Sequence, residues 1–164
     1  MKVAIISDIH DNLVNLEKCL NWCQENKVKN IICCGDVTNG ETLKLLAENF
    51  AGKIYLVNGN VELYDKEEIK QYKNIKYFGR IGRFELNKKN IGFCHELYLV
   101  EKILEKGKCD IIFYGHTHKP WEEKVHETKI INPGTLGGVF TRATFAVWDT
   151  KSEKLELKLL EVLK

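Results

Sequence analysis

Short apolar runs alternate with amphipathic stretches along the first half of the chain, and this alternation predicts strand–helix–strand units wound into a largely parallel sheet. The runs at 3–7, 31–34 and 54–57 are mostly apolar and partly β-branched, as expected for strands that are buried on both faces. Between these runs, apolar residues recur at three- and four-residue steps, which predicts helices. The repeating positions are Leu13, Leu16, Leu20 and Cys23 in the first helix, and Leu43, Leu46 and Phe50 in the second.

The second half of the chain shifts toward consecutive strands. A charged segment at 62–73 predicts a surface helix or loop, and the stretch 97–106 predicts a third helix. Further strands are predicted at 84–86, 91–94, 111–114, 129–131, 144–148 and 155–160, of which the last three indicate an antiparallel ending. Because no linker or repeat interrupts the pattern, we predict one α/β domain over residues 1–164, with two facing sheets flanked by helices.

The composition is that of an ordinary globular protein, with 44% hydrophobic residues, 29% charged residues and a formal net charge of +2. Basic residues are scattered, without a run of five or six, so we predict no strong nucleic-acid surface. The apolar run at the N-terminus is too short for a signal peptide or a membrane span, and the expected location is cytoplasmic. Six cysteines show no CxxC spacing and are predicted to be reduced and buried as small hydrophobes.

Polar residues that can bind metals follow nearly every predicted strand. Ligands bind beyond the carboxyl ends of strands in open α/β sheets, because loops there bring together residues that are distant in sequence. After the first strand, Asp8 and His10 are two residues apart and would face the same side of an extended chain, as a shared cation requires. Of the next two residues, Asp11 and Asn12, one is expected to cap the helix that follows.

Three further strand ends carry single candidate residues. Gly35 permits a tight turn, so that Asp36 points off the strand tip, although Asp36 could also cap the next helix. Asn60 ends the sequence Asn-Gly-Asn, which could be a plain turn. His95 follows another apolar run, where a lone histidine is more often a structural residue that is held by hydrogen bonds.

The segment after the strand at 111–114 gives the strongest single indication. His116 and His118 are separated by one residue and would lie on one side of an extended segment, which makes a good metal chelate. A constrained Asn-Pro-Gly-Thr turn at 132–135 follows the next strand. His126 matches no strand end and has charged neighbours, so we predict that it is a solvated surface residue.

Taken together, these candidates supply enough ligands for two divalent cations. They comprise two carboxylates, four imidazoles and one amide oxygen, from Asp8, His10, Asp36, Asn60, His95, His116 and His118. The set lacks the thiolates of a structural zinc site and predicts mixed nitrogen and oxygen coordination.

The ordered series resembles the signature of the calcineurin-like metallophosphoesterases. The matching elements are Asp8-x-His10, Gly35-Asp36, Gly59-Asn60, His95 and Gly115-His116-x-His118. The short chain, the Gly-His-Thr-His element and the downstream Asn-Pro-Gly turn resemble in particular the small YfcE/MJ0936-type phosphodiesterases, over essentially the whole chain. This resemblance implies a four-layer α/β/β/α sandwich of two mixed sheets flanked by helices.

The resemblance also implies how the metals are held. One cation would be bound by Asp8, His10, Asp36 and His118, and the other by Asp36, Asn60, His95 and His116, with Asp36 as the bridge. Asp36, Asn60 and His95 are accordingly the expected catalytic residues. Members of the family are commonly active with manganese, so Mn²⁺ is the expected metal, while iron, zinc, nickel or magnesium can occupy such sites.

The implied reaction is hydrolysis of a phosphodiester, or alternatively a phosphomonoester, by in-line attack of a hydroxide that bridges two cations. The expected substrate is a small phosphodiester or nucleotide-type molecule, with no membrane partner, and a homo-oligomer is an open alternative. A function of a different class is a non-catalytic interaction scaffold, like the retromer subunit that shares this fold but has a degraded metal site. Because all seven ligand positions are intact here, we favour the enzyme.

Two places in the chain depart from the family pattern, and both concern the substrate rather than the metals. Val61 stands where larger family phosphatases carry a histidine that can protonate the leaving group, and Glu62 stands where close relatives often carry aspartate. Glu96 and Leu97 replace the glycine and polar residue that are common in relatives. The proton donor to the leaving oxygen is therefore open among Glu62, Glu96 and a metal-bound water.

Overall fold

The computed structural model describes residues 1–163, which form eleven β-strands, four α-helices and a short 3₁₀ helix. The strands are β1 (Lys2–Ile6), β2 (Asn30–Cys33), β3 (Lys53–Leu56), β4 (Ile75–Tyr77), β5 (Ile81–Leu86), β6 (Lys89–Cys94), β7 (Ile111–Phe113), β8 (Trp121–Val125), β9 (Thr128–Asn132), β10 (Thr144–Asp149) and β11 (Leu155–Leu159). The helices are α1 (Leu13–Glu25), α2 (Gly40–Glu48), α3 (Lys66–Lys70) and α4 (Leu99–Leu104), and the 3₁₀ helix spans Leu160–Val162.

The strands form two sheets, and both are mixed. The six-stranded sheet has the order β11-β10-β1-β2-β3-β4, in which β1 to β4 run parallel while β10 and β11 pair antiparallel. The five-stranded sheet has the order β5-β6-β7-β9-β8, in which β6, β7 and β9 run parallel between two antiparallel edge strands. Parallel neighbours end at the same edge of their sheet, so their following loops are brought together.

Three buried apolar clusters separate four layers. Successive residues of a strand point to opposite faces, so Ile6 packs in a cluster with Leu16 of α1 while Ile5 packs in a different cluster with Phe93 of β6. The first cluster joins α1 and α2 to the six-stranded sheet, and the second fills the space between the sheets. Ile103 of α4 belongs to the third cluster, on the outer face of the five-stranded sheet. The predicted α/β/β/α sandwich is therefore confirmed.

Three elements differ from the sequence prediction, each for a physical reason. The pattern does not predict β4, which has only three residues, or β8, whose five residues are all exposed and mostly charged. The prediction of an antiparallel ending is right for β10 and β11, whereas β9 pairs antiparallel with β8 but parallel with β7. The local apolar pattern of a short buried strand does not encode which neighbour it joins. The charged segment contains the short helix α3, which begins with a capping box at Asp65.

The cysteines are buried, as predicted, and all six are free thiols. Burial raises the pKa of the Cys94 thiol to about 12, so this residue is protonated and unreactive at neutral pH. Among residues 1–163, every helix is too short or too polar to cross a membrane.

Candidate metal centre

The predicted ligand positions converge beyond the carboxyl ends of strands from both sheets. They are Asp8 and His10 after β1, Asp36 after β2, Asn60 after β3, His95 after β6, and His116 and His118 after β7. Each of these seven side chains has an atom within 3.7 Å of another member of the set. The structure thus brings together all seven residues that the strand-end pattern selects.

One group of donor atoms is centred on Asp8. Its Oδ1 lies 3.2 Å from Nε2 of His118 and 3.7 Å from Nε2 of His10, and the two ring nitrogens are 3.1 Å apart. Nδ1 of His118 faces the carbonyl of Val139 at 3.1 Å. A carbonyl can only accept, so the ring proton is on Nδ1 and the lone pair of Nε2 points into the group, as in histidines that bind metals.

A second group is centred on Asn60. Its Oδ1 lies 2.8 Å from Nε2 of His95 and 2.9 Å from Nδ1 of His116. The other nitrogen of the His95 ring, Nδ1, donates to the carbonyl of Cys34 at 2.8 Å, which fixes the ring and leaves Nε2 free to accept. Two ring nitrogens and one amide oxygen therefore face a common point.

Asp36 lies between the two groups. Its Oδ2 is 3.2 Å from Nε2 of His95 in the second group and 3.7 Å from Nε2 of His10 in the first. Its Oδ1 accepts the backbone N–H groups of Asn60 at 2.8 Å and Val61 at 3.1 Å. One carboxylate oxygen is thus held by the loop after β3, while the other faces both groups.

The charge in this region is negative and buried. Asp8 and Asp36 are 0% and 2% exposed, and within residues 1–163 the basic side chains within 4 Å of them are all histidines. The hydrogen bond to Asp8 raises the pKa of His10, although burial opposes it. Burial lowers the pKa of His95, but the hydrogen bond to Asp36 and the two carboxylate charges outweigh it, so this pKa is also raised. Buried carboxylates require a positive partner, which a bound cation supplies.

Five of the seven residues have a left-handed backbone conformation. They are Asp8 (φ 55°), His10 (47°), Asp36 (54°), His116 (66°) and His118 (59°). Such a conformation costs a residue other than glycine of the order of 1–3 kcal/mol and persists only where neighbours hold it. The backbone N–H of His116, for example, donates to both carboxylate oxygens of Asp8, at 3.2 and 3.0 Å. Strain of this kind is concentrated at functional sites.

Two glycines allow the strand ends to approach one another. A Cβ on Gly59 would lie 1.9 Å from Oδ1 of Asp36, and a Cβ on Gly115 would lie 1.9 Å from Oγ of Ser7 and 2.7 Å from Oδ2 of Asp8. Real Cβ contacts are essentially never shorter than 3.0 Å. Both glycines are therefore needed for the observed positions of the two carboxylates.

Glu62 joins the loops after β2 and β3, a role that the sequence does not predict. Its carboxylate accepts the backbone N–H groups of Val37 at 3.4 Å, Thr38 at 2.9 Å and Gly59 at 3.0 Å. Both oxygens of Glu62 are thus occupied by backbone donors, which makes this residue a poor candidate for the proton donor. The sequence contains no signal for its partners because they lie on two separate loops.

The Asn-Pro-Gly-Thr turn also supports the centre, although the sequence indicates only a constrained turn. Nδ2 of Asn132 donates to the carbonyl of Gly115 at 2.8 Å and to Oγ1 of Thr117 at 3.0 Å. Oγ1 of Thr135 donates to the carbonyl of Asp8 at 2.9 Å. The turn therefore fixes the backbone of the loops after β7 and β1.

The structure also shows which residues cap the helices and where His126 lies, which the sequence leaves as alternatives or predictions. Asn12 caps α1, whereas Asp11 accepts hydrogen bonds from residues at the start of α2. Asn39 caps α2, so Asp36 is not a helix cap. His126 is exposed in the turn between β8 and β9, as predicted.

The family profile described as the calcineurin-like phosphoesterase superfamily domain matches residues 1–153. The chain belongs to the calcineurin-like phosphoesterase superfamily. The predicted family and the predicted enzyme class, a hydrolase that acts on phosphoric ester bonds, are confirmed by this match. Members of this superfamily bind divalent metals, and the geometry above provides a matching set of donor atoms.

Individual proteins resemble the chain over nearly its whole length. Phosphodiesterase MJ0936 from Methanocaldococcus jannaschii is 30% identical over 168 residues, which cover 98% of this chain and 100% of that protein. A solved structure of an archaeal phosphodiesterase has a TM-score of 0.87 at 26% identity, covering 97% of this chain and 99% of that one. Vps29 from Chaetomium thermophilum has a TM-score of 0.73 at 14% identity, covering 97% and 95%, and this likeness shows the fold alone.

Proposed function

We propose that the chain is a two-metal phosphodiesterase. One divalent cation would be held by Asp8, His10, Asp36 and His118, and the second by Asp36, Asn60, His95 and His116. The observation that carries this proposal is the position of Asp36, whose Oδ2 faces donor atoms of both groups at 3.2 and 3.7 Å. A carboxylate in that position can serve two cations at once.

The chemistry of the donor atoms supports this assignment. Four imidazoles, two carboxylates and an amide oxygen suit Mn²⁺ as well as iron, zinc, nickel and magnesium, and we expect Mn²⁺ from the family resemblance. Clusters of candidate ligands in residues 1–163 comprise Asp8, His10 and His118, and Asp8, Asp36 and His95, in each of which the ligand atoms lie within 4.8 Å of one another. A thiolate site of the structural zinc type is not part of these clusters.

When bound, the two cations would activate water as the nucleophile and neutralise charge on the phosphate oxygens. The chain's own residues prepare the geometry for this chemistry. The N–H groups of Asn60 and Val61 fix one oxygen of Asp36, and carbonyl partners fix the rings of His95 and His118. Preorganised donors need no rearrangement during the reaction, which is the main source of electrostatic catalysis.

Protonation of the leaving oxygen is the step for which the centre offers the least suitable side chains. The side chain of Val61 is 39% exposed at the edge of the second group and cannot donate a proton. Glu62 is held by three backbone N–H groups, and Oε1 of Glu96 accepts from Arg80 at 2.9 Å. We therefore propose that substrates with good leaving groups are favoured.

The proposed substrate is a small phosphodiester of the nucleotide type, by analogy with the phosphodiesterase relatives, with a phosphomonoester as the alternative. We further propose that residues 1–164 act as one metallophosphoesterase domain. The free, buried cysteines are compatible with the expected cytoplasmic location. A non-catalytic scaffold of the same fold is less favoured, because its support is a likeness of fold to Vps29 structures that are 14% to 19% identical to this chain.

The proposal is tested by a screen of metals against substrates. Protein treated with EDTA is mixed with bis(p-nitrophenyl) phosphate or p-nitrophenyl phosphate, and Mn²⁺, Mg²⁺, Zn²⁺, Ni²⁺ or Fe²⁺ is added. We expect p-nitrophenolate release from the diester with Mn²⁺, none without metal, and none from Asp36→Ala. His126→Ala serves as the matched control and should remain active. Absence of hydrolysis with every metal would contradict the proposed enzymatic function and favour the scaffold.

A further inference from the structure

Phe140 is an apolar side chain in an unusual position. It lies in the loop between β9 and β10, and its side chain is 94% exposed, the largest fraction among the large apolar residues of 1–163. Its backbone is in the left-handed region, with φ 64°, which is uncommon for a bulky residue. Packing does not explain this ring, because almost none of its surface is removed from water.

The backbone on both sides of Phe140 is nevertheless held in place. The carbonyl of Val139 accepts from Nδ1 of His118 at 3.1 Å, and Oγ1 of Thr141 donates to the carbonyl of His118 at 2.8 Å. Earlier in the same loop, the carbonyl of Gly137 accepts from Asn12 at 2.9 Å. The loop is therefore tied to the metal centre on either side of Phe140, while the ring itself is left in solvent.

The ring is placed next to the proposed reaction site. Its centroid lies 5.7 Å from that of the His118 imidazole, and the two ring planes are inclined by 29°. The loops after β3 and β6 carry further exposed apolar side chains, Val61, Leu63, Leu97 and Tyr98. Exposed apolar residues thus follow closely in sequence after two of the proposed ligands, Asn60 and His95.

We propose that Phe140 is a specificity residue that stacks on an aromatic ring, a nucleobase or an aryl group, of the phosphodiester. This inference rests on the proposed function, since it is the phosphate on the metals that would place the aromatic group beside Phe140. A phosphate alone does not need an apolar neighbour, whereas an aromatic substituent gains from a flat ring whose backbone is already held in place. Because the loop is anchored, little conformational entropy is lost when the rings stack.

The ligands phenylphosphonate and methylphosphonate separate stacking from phosphate binding. They carry the same charged group, are not hydrolysed at the carbon–phosphorus bond, and differ in the aromatic ring. Affinities are measured by calorimetry on protein saturated with Mn²⁺. We expect phenylphosphonate to bind at least about fivefold more tightly, the lower end of aromatic stacking on an exposed ring. In Phe140→Ala the preference should disappear while methylphosphonate binds as before.

Two further variants make this test specific. Phe140→Tyr keeps a flat ring and should keep the preference, and Leu157→Ala, which truncates a 48% exposed side chain on β11, should leave both affinities unchanged. Equal binding of the two phosphonates to the unmodified protein would overturn the role of Phe140. So would an equal loss of both in Phe140→Ala, because the ring would then support His118 only.

Different results would contradict the proposed phosphodiesterase function and the stacking role of Phe140. If neither phosphonate binds and no metal promotes hydrolysis of bis(p-nitrophenyl) phosphate, both the two-metal centre and the stacking role are wrong. If hydrolysis depends on Mn²⁺ but the phosphonates bind alike, the phosphodiesterase stands and only the stacking role is wrong.

Discussion

Replacing Gly59 by alanine should displace Asp36 and thereby disable the centre. An added Cβ would lie 1.9 Å from Oδ1 of Asp36, whereas ordinary contact begins at 3.4 Å, so the two must separate by about 3.4 − 1.9 = 1.5 Å. The Cβ would also lie 2.4 Å from the backbone nitrogen of Asp36, so rotation of the carboxylate alone cannot relieve the clash. Because a misplacement of about 1 Å can cost roughly 100-fold in rate, we expect kcat/KM to fall at least about 100-fold.

A second glycine provides a matched control. A Cβ on Gly52 would lie 2.3 Å from the carbonyl oxygen of Lys29, which is a comparable clash with backbone at the opposite end of β3 from Asn60. Gly52→Ala should therefore lower the melting temperature but leave kcat/KM per folded molecule nearly unchanged.

The assay for this pair is the hydrolysis of bis(p-nitrophenyl) phosphate at saturating Mn²⁺, with thermal melting to measure the folded fraction. Folded Gly59→Ala with kcat/KM within about threefold of the unmodified protein would refute the reasoning. An equal loss of activity per folded molecule in Gly52→Ala would also refute it, because general destabilisation and not the position of Asp36 would then be the cause.

Three other predictions follow from the centre. Alanine at any histidine of the proposed ligand set should remove most activity and lower the metal stoichiometry, whereas His126→Ala should change little; a comparable loss at His126 would mean that the strand-end argument misses a site residue. The rates of hydrolysis of aryl phosphodiesters should fall steeply as the pKa of the leaving phenol rises. Val61→His should flatten this dependence of rate on phenol pKa, because general acid catalysis is worth about 10²- to 10⁴-fold. A flat dependence in the unmodified protein, with chemistry rate-limiting, would show that another acid donates the proton. In EDTA-treated protein, the raised pKa values of His10 and His95 stabilise the fold fully below pH 6.5, and this stability is lost as pH rises through the folded-state pKa values. The melting temperature should therefore fall as pH rises through those values. A constant or rising melting temperature would contradict this prediction.

The positions of the candidate ligand residues and of the core could be predicted because their signals are local. Val3 to Ile6 form an apolar run that predicts a strand, and the polar residues directly after it therefore lie at a strand end. This position does not depend on contacts with distant segments. Leu16 and Leu43 mark helix faces through spacing alone. The carboxyl ends of the parallel strands in the two sheets then meet by topology, so the candidate ligands converge without any further information from the sequence.

The supporting residues could not be predicted, because their roles depend on contacts between distant segments. Glu62 accepts from Thr38, 24 positions earlier in the chain, and Thr135 donates to Asp8 across 127 positions. Phe140 follows a glycine-rich stretch and would be taken for a loop residue, since only the fold places it beside His118. The edge strand β8 is missed for the opposite reason, because its exposed residues have no buried face to produce an apolar pattern.

The most direct test of the two-metal centre is a titration of EDTA-treated protein with Mn²⁺, followed by electron paramagnetic resonance. We expect two Mn²⁺ per chain and a signal from two exchange-coupled ions, because Asp36 is proposed to bind both, and we expect the coupling to be lost in Asp36→Ala. Circular dichroism is recorded to check that this variant is folded. A single uncoupled Mn²⁺ per chain, no bound metal, or a coupled pair that persists in folded Asp36→Ala would contradict the account.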